Sequence, residues 1–108
     1  MREVNIFINN IFAGILIEQS DQKYIFRYND SYFNNSSFPP VSLTLPKTQQ
    51  EYTSQYLFPA FTNLLPEGTN RKVFCRLFMI DENDFFGMLL ATEKMDMIGN
   101  ITIKKEIR

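Results

Sequence analysis

The spacing of the apolar residues changes about halfway along this chain, and that change sets the order of its secondary structure. In the first half, apolar residues recur at every second position, as Val4, Ile6 and Ile8 do. This period is typical of strands with one buried face, whereas the spacing in the second half is that of amphipathic helices. The sequence therefore predicts strands first and helices afterwards, which is typical of an α+β domain.

The alternating segments of the first third predict three strands joined by two short turns. These segments are residues 4–8, 11–18 and 23–28. The turn at Asn9 and Asn10 fits, because asparagine tolerates the left-handed conformations of tight turns. Residues 20–22 predict the second turn. Gly14 indicates a bulge or a close approach of another backbone. Together, the three strands predict an antiparallel meander.

Residues 29–40 predict a loop, because Asn, Ser, Asp and Pro at this density compete with regular structure. Three aromatic residues are expected to anchor this loop to the core: Tyr32, Phe33 and Phe38. After the loop, residues 41–45 alternate again, and they predict a fourth strand that ends at Pro46. Val41, Leu43 and Leu45 are expected on one face of this strand, and Ser42 and Thr44 on the other.

Helical spacing begins after that strand and predicts helices over residues 56–65 and 70–80, interrupted by Pro66 and Gly68. Four residues of the second helix are expected to face inward: Val73, Phe74, Leu77 and Phe78. Its cations are expected on or near the outward face: Arg71, Lys72 and Arg76.

A third short helix is predicted to open at residues 81–84, because acidic residues favour a helix N-terminus, and to continue through residues 85–90. Gly87 lies in the body of this helix, where glycine is costly, and close backbone packing is the ordinary reason for such a residue. A last strand over residues 98–104 is expected to return to the N-terminal sheet.

These elements predict one α+β domain over residues 1–108. It consists of a small antiparallel sheet or partly open barrel of about five strands, with three helices in the second half. The sequence shows no internal repeat and no linker that would divide it. Its 11 phenylalanines and 5 tyrosines exceed what so short a chain is expected to bury, which indicates a partner.

Composition argues against several functions. With no histidine, the chain lacks the commonest general base and metal ligand. The lone Cys75 cannot form an internal disulfide, and it is interpreted as a small buried hydrophobe in a reducing compartment. Eleven basic and 12 acidic residues give a net charge of −1, which disfavours direct nucleic-acid binding. We therefore expect no enzyme activity, no cofactor and no metal.

The chain shows no targeting or membrane segment. Its first residues alternate instead of forming a basic run followed by an apolar one, and no apolar run reaches the ~18 residues of a spanning helix. We expect a cytoplasmic protein without membrane contact.

Two charged clusters admit a functional reading and a structural one. The acidic cluster of Asp81, Glu82 and Asp84 could hold a divalent metal, but it lacks the framework of a calcium loop and is interpreted as a helix start. Arg71, Lys72 and Arg76 could meet a phosphate, but such a trio is more often a solvated helix face.

Several segments, in order along the chain, resemble the N-terminal subdomain of HipA. The opening hairpin and third strand are similar, as are a Pro-hydrophobic-Ser-Leu-Thr-hydrophobic-Pro segment, a Leu-Phe-Pro helix with its Leu-Leu-Pro-Glu-Gly turn, and two closing elements. These segments are residues 4–16, 24–28, 40–46, 57–61, 63–68, 84–91 and 98–101.

The resemblance implies a domain without kinase chemistry. A full HipA-type toxin continues into a serine/threonine kinase, but this sequence has no His-Arg-Asp loop and no Asp-Phe-Gly motif, since Phe85 precedes Phe86 and Gly87. A free-standing subdomain resembles the HipS antitoxins of HipB–HipS–HipT systems. That likeness implies an antitoxin that supplies the subdomain in trans to a HipT-like kinase toxin. A HipB-like helix-turn-helix DNA-binding protein would join through the complex.

The turn between the first two helices is the expected kinase-binding surface, because protruding turns on a rigid scaffold commonly carry recognition. The segment comprises Leu64, Leu65, Pro66, Glu67, Gly68, Thr69, Asn70 and Arg71. Many relatives place tryptophan where this chain has Thr69, which puts direct obstruction of the kinase by that side chain in doubt. Two alternatives stay open: a stand-alone interaction domain without inhibitory role, and a small-ligand or metal-binding module that uses the acidic cluster.

Overall fold

The three strands of the predicted meander form the centre of a five-stranded antiparallel sheet. The computed structural model describes residues 1–20, 23–92 and 101–104. The strands are β1 (Arg2–Ile8), β2 (Ile11–Gln19), β3 (Lys23–Tyr28), β4 (Glu51–Ser54) and β5 (Ile101–Lys104). Their order across the sheet is β4-β3-β2-β1-β5. The last strand therefore returns beside the first, as predicted, although residues 98–100 lie outside the described part.

The turn and bulge predictions in the first hairpin are confirmed. Asn9 and Asn10 both adopt positive φ angles, of 50° and 67°, as the two-residue hairpin turn requires. The pairing of β1 with β2 shifts register after Ile6, which lies opposite Gly14. A Cβ atom on Gly14 would lie 2.3 Å from the carbonyl oxygen of Arg27, so this position excludes side chains. Of the second predicted turn, residues 21–22 lie outside the described part.

The described part of the chain adds four helices to the sheet, and the predicted α+β class is confirmed. They are α1 (Asp30–Phe33), α2 (Pro59–Thr62), α3 (Gly68–Phe78) and α4 (Phe85–Thr92). The last three occupy the second half of the chain, as predicted, whereas α1 is a single turn inside the predicted loop. None of the helices in the described part combines the length and hydropathy that crossing a bilayer requires.

The prediction of a strand at residues 41–45 is wrong. This segment is an irregular loop, and the fourth strand, β4, lies further along the chain. Val41 and Leu45 are buried, but Leu43 between them is 95% exposed. The Tyr28 hydroxyl accepts a hydrogen bond from the Val41 amide and donates one to the Leu45 carbonyl. A side chain thus satisfies the backbone groups that a strand would have paired.

The helix predictions were right in kind but not in extent. The segment 56–65 holds only the short helix α2, since Pro59 occupies a first-turn position and Tyr56 is 78% exposed. Helix α3 ends where Met79 adopts a left-handed conformation, with φ at 57°. Residues 81–84, three of which are acidic, precede α4 and do not form its first turn.

The inward face of α3 differs from the prediction at two of four positions. Phe74 is buried and Phe78 is partly buried against the core, as expected, but Val73 and Leu77 are 52% and 71% exposed. Cys75 is buried, and Arg71 is half-buried. The buried stripe therefore runs along the side of the helix that carries Arg71 and Cys75, and Val73 and Leu77 lie beyond its edge.

The core between the sheet and the helices combines aromatic and aliphatic side chains. The Phe26 ring centroid lies 5.6 Å from that of Phe61, and the Tyr28 ring stacks on Tyr32 at 6.0 Å. Tyr32 is buried, while Phe33 and Phe38 pack against the core, so the predicted anchoring of the 29–40 loop is confirmed. The largest fully buried side chains are Tyr28, Tyr32, Phe7, Phe26, Phe61, Phe86, Ile6, Ile8, Leu16, Leu45, Met88 and Leu89.

Candidate protein-binding site

The segment predicted to bind a partner divides into an anchored part and an exposed part. Leu65 is buried, and Leu64 and Pro66 are partly buried, so the entry into the turn belongs to the core. The Leu64 and Leu65 amides continue the chain of turns after α2 by donating to the carbonyls of Phe61 and Thr62. The first part of the segment thus fixes where the turn leaves the core.

The exposed part is the start of α3, where Glu67, Gly68, Thr69 and Asn70 all face solvent. Gly68 has a φ of +59°, a conformation that other residues adopt only with strain. A Cβ atom on Gly68 would meet nothing within 4 Å, so the glycine serves the backbone path and not close packing. Thr69 stands at the surface, where a larger side chain would also be accessible.

Arg71 faces the protein and ties the turn to α4. Its Nε donates a hydrogen bond of 3.0 Å to the carbonyl oxygen of Pro66, and its guanidinium carbon lies 5.1 Å from the centroid of the Phe85 ring. Such an arginine–aromatic contact is worth about 0.5–1 kcal/mol at an exposed site. Glu67 is therefore the charged side chain that this turn offers to a partner, whereas Arg71 holds the turn in place.

The acidic cluster is used within the fold. Asp84 precedes α4, and its Oδ1 accepts a 3.0 Å hydrogen bond from the Gly87 amide, which caps the helix. Arg2 donates to both oxygens of Asp84, at 2.8 and 3.1 Å, and also to Glu18 at 2.7 Å. The hydrogen bonds from Arg2 hold the pKa of Asp84 below its usual range.

The remaining acidic residues give little support to a metal site. Asp81 Oδ1 accepts a 2.8 Å hydrogen bond from the Asn83 amide. Within the described ranges, no three His, Cys, Asp or Glu side chains form a group that could hold a metal ion. The alternative of a metal-binding module therefore finds no geometry here to support it.

The cations of α3 do not form a phosphate site either. Lys72 and Arg76 are exposed, but they share an open cleft of about 620 Å³ with Asp81 and Glu82. These acids oppose the approach of an anion. Cys75 also lines the cleft, but burial raises the pKa of its thiol, which keeps it from being a reactive thiolate.

A second exposed surface, which the sequence did not single out, lies at the loop of residues 39–46. Three tyrosine hydroxyls hold its backbone. Tyr28 bonds Val41 and Leu45, Tyr32 donates to Pro39 at 2.7 Å, and Tyr52 donates to Pro46 at 2.5 Å. Burial raises the pKa of Tyr28 to about 12, so its hydroxyl stays protonated. At the tip, Leu43 is 95% exposed. The alternating pattern of residues 41–45 did not reveal this surface, because it predicted that Leu43 would lie on the same face as Val41 and Leu45.

Comparisons with known proteins agree with this architecture over nearly the whole chain. A protein of Haemophilus influenzae, described only as uncharacterized, is 33% identical over 106 residues, which are 98% of this chain and 94% of that protein. A solved structure described as the N-terminal domain of HipA toxin is 30% identical and has a TM-score of 0.72, covering 98% of this chain and 93% of the other. Residues 4–104 match the family of the HipA N-terminal domain. The chain belongs to the HipA N-terminal domain family.

Proposed function

We propose that this chain is a non-catalytic antitoxin that binds and restrains a HipT-like serine/threonine kinase by supplying the HipA N-terminal domain in trans. One observation carries the proposal: the chain shares its fold with a domain of the HipA toxin over 98% of its length, while its sequence holds no kinase motif. A domain of a toxin without the toxin's catalytic sequence is suited to bind the remainder of such a protein.

The chemistry of the side chains supports a binding role over a catalytic one. The chain has no histidine, and its single thiol is buried. In the acidic cluster, Asp84 is bonded to Arg2 within the fold. The exposed cations of α3 share their cleft with acidic residues. A HipB-like protein would join through the complex and supply its DNA contact, because a net charge of −1 gives this chain little attraction for DNA. Such an assembly belongs in the cytoplasm.

The exposed start of α3 is the proposed inhibitory contact. The buried Leu65 and the Arg71 bond to Pro66 fix the turn, so a partner that meets Glu67 would lose little entropy in ordering it. Because Thr69 stands where many relatives have tryptophan, the proposal assigns the contact to this backbone turn and to Glu67, with no bulky side chain entering the kinase.

Co-expression with a kinase encoded by a neighbouring gene tests the proposal. The chain should restore growth, and the purified proteins should form a complex. Glu67→Lys should weaken binding, since a misplaced charge at a desolvated contact costs roughly 2–5 kcal/mol. Glu3→Lys makes the same charge change at an exposed position of β1 and serves as the control. Arg71 must be left unchanged, because replacing it would loosen the turn itself.

The results distinguish the antitoxin role from the position of the kinase contact. If the unaltered chain neither restores growth nor binds the kinase, the antitoxin proposal is refuted. If it does both and Glu67→Lys behaves like Glu3→Lys, the antitoxin role stands and the contact lies on another surface.

A further inference from the structure

We propose that Leu43, held at the tip of the loop of residues 39–46, is an anchor that inserts into an apolar socket on the kinase. This inference rests on the proposed function and adds a second contact, separate from the turn at Glu67. Leu43 is 95% exposed, although hydrogen bonds hold the backbone on both sides of it.

The loop is held on both sides of Leu43. Val41 and Leu45 are buried, and both are bonded through their backbones to the same Tyr28 hydroxyl. The Ser42 and Thr44 hydroxyls lie 3.0 Å apart, which joins the two neighbours of Leu43 directly. These bonds hold the backbone that carries Leu43 on both sides. A loop whose backbone is already held loses little backbone freedom on binding.

The surroundings of Leu43 identify the chemistry of the partner. Residues 31–46 contain no charged side chain, although 21% of the whole chain is charged. The adjacent cation, Lys47, donates to the carbonyls of Asn35 and Phe38, so its charge is used within the loop. Nucleic acids and anionic membranes require cations at their contacts, and the segment 31–47 offers none that is unengaged. An exposed apolar residue between the neutral hydroxyls of Ser42 and Thr44 fits a protein surface with an uncharged socket.

The chain offers a matched control for this anchor. Leu77 is also a leucine, is 71% exposed, and lies on α3, where Lys72 and Arg76 also face solvent. Leu43→Gln and Leu77→Gln remove the same apolar group without changing net charge. Both positions face solvent, so neither change should disturb the fold, and matching circular dichroism spectra and melting temperatures would establish this.

Binding of each variant to the purified neighbouring kinase tests the inference. Leu43→Gln should raise Kd at least tenfold, as expected for a hot-spot residue, and Leu77→Gln should leave it within about threefold. The Leu43→Gln effect should be the same at about 50 mM and about 500 mM NaCl, because neither side chain at this position carries charge.

Every outcome decides the inference. If the wild-type chain binds and Leu43→Gln binds equally well, or if Leu77→Gln is the weaker binder, the anchor is not Leu43. If sedimentation shows that Leu43→Gln abolishes self-association while kinase binding is unchanged, the loop contacts a second copy of the chain and the inference is overturned. If the wild-type chain does not bind the kinase, the proposed function fails, and this inference fails with it.

Discussion

Replacing Gly87 by alanine should destabilise this protein, although alanine is the better helix former. Gly87 lies in α4, three residues after Asp84, which caps that helix through the Gly87 amide. A Cβ atom on Gly87 would lie 2.3 Å from Oδ2 of Asp84 and 2.8 Å from its Cγ. The alanine methyl group and the capping carboxylate cannot both keep these places, so the carboxylate must move.

The size of the effect follows from what that movement breaks. Losing the cap costs about 1 kcal/mol, and losing the partly exposed contact with Arg2 costs about 0.2–1 kcal/mol. Alanine in place of glycine returns up to about 1 kcal/mol through helix propensity. The single variant should therefore lose about 0.5 kcal/mol. In an Asp84→Ala background, the three nearest obstructing atoms are gone, and Gly87→Ala should instead gain up to about 1 kcal/mol.

Urea unfolding of four proteins tests this change of sign: the parent, each single variant and the double variant. The expected coupling between the two positions is about 1.5 kcal/mol, well above the ~0.5 kcal/mol scatter of independent sites. In thermal melts, the double variant should exceed Asp84→Ala by several degrees, since about 1 kcal/mol shifts the melting temperature by roughly 4–8 °C in a domain of this size. If Gly87→Ala has the same effect in both backgrounds, the carboxylate of Asp84 is not the reason for glycine here.

The hydrogen bonds of Asp84 and Tyr28 and the net charge of the chain each have a measurable consequence. Because the pKa of Asp84 is lowered, the folded state binds a proton at this carboxylate less readily than the unfolded state does. The stability that ionised Asp84 contributes is full above about pH 4 and is lost as the pH falls through the pKa of the folded state. Asp84→Asn should remove this part of the acid dependence in urea titrations. Tyr28→Phe should destabilise by about 1–3 kcal/mol for each backbone group left unpaired at Val41 and Leu45, measured by urea unfolding, and a loss below about 0.5 kcal/mol would contradict the role given to the hydroxyl. The isolated chain should give no gel shift with DNA at micromolar protein and physiological salt, because its net charge is −1.

The strands of the meander were predictable because local signals agreed with one another there. Alternation, the asparagine pair at the turn and Gly14 all specify the same hairpin, and the structure has it with its bulge. The loop of residues 39–46 was not predictable, because its residues do alternate but its backbone is hydrogen-bonded by tyrosines that lie outside the segment. Tyr28 lies on β3 and Tyr52 on β4, and no local pattern reveals that their hydroxyls replace strand pairing.

In the helical half, periodicity predicted the position of α3 but not which of its faces is buried. Periodicity located α3 to within about two residues, but it assigned Val73 and Leu77 to the core and placed Arg71 on or near the surface. Arginine can face inward here because its stem packs along the protein while its guanidinium lies over Phe85 and donates to Pro66. A pattern based only on hydropathy places Arg71 at the surface, although its side of the helix faces the core. The same pattern therefore places Val73 and Leu77 in the core, although both are exposed.

The exposure of these apolar residues affects how a partner would bind this domain. Leu43, which the alternation placed on the face of Val41 and Leu45, is exposed, and so are Val73 and Leu77. The polar groups of Arg71 and Asp84 are bonded within the fold. A partner at these exposed positions would meet apolar side chains on a backbone held by internal polar contacts. Binding of that kind depends on shape and on water exclusion more than on net charge. A domain with a net charge of −1 and ordered turns can achieve specificity in this way without any strongly charged surface.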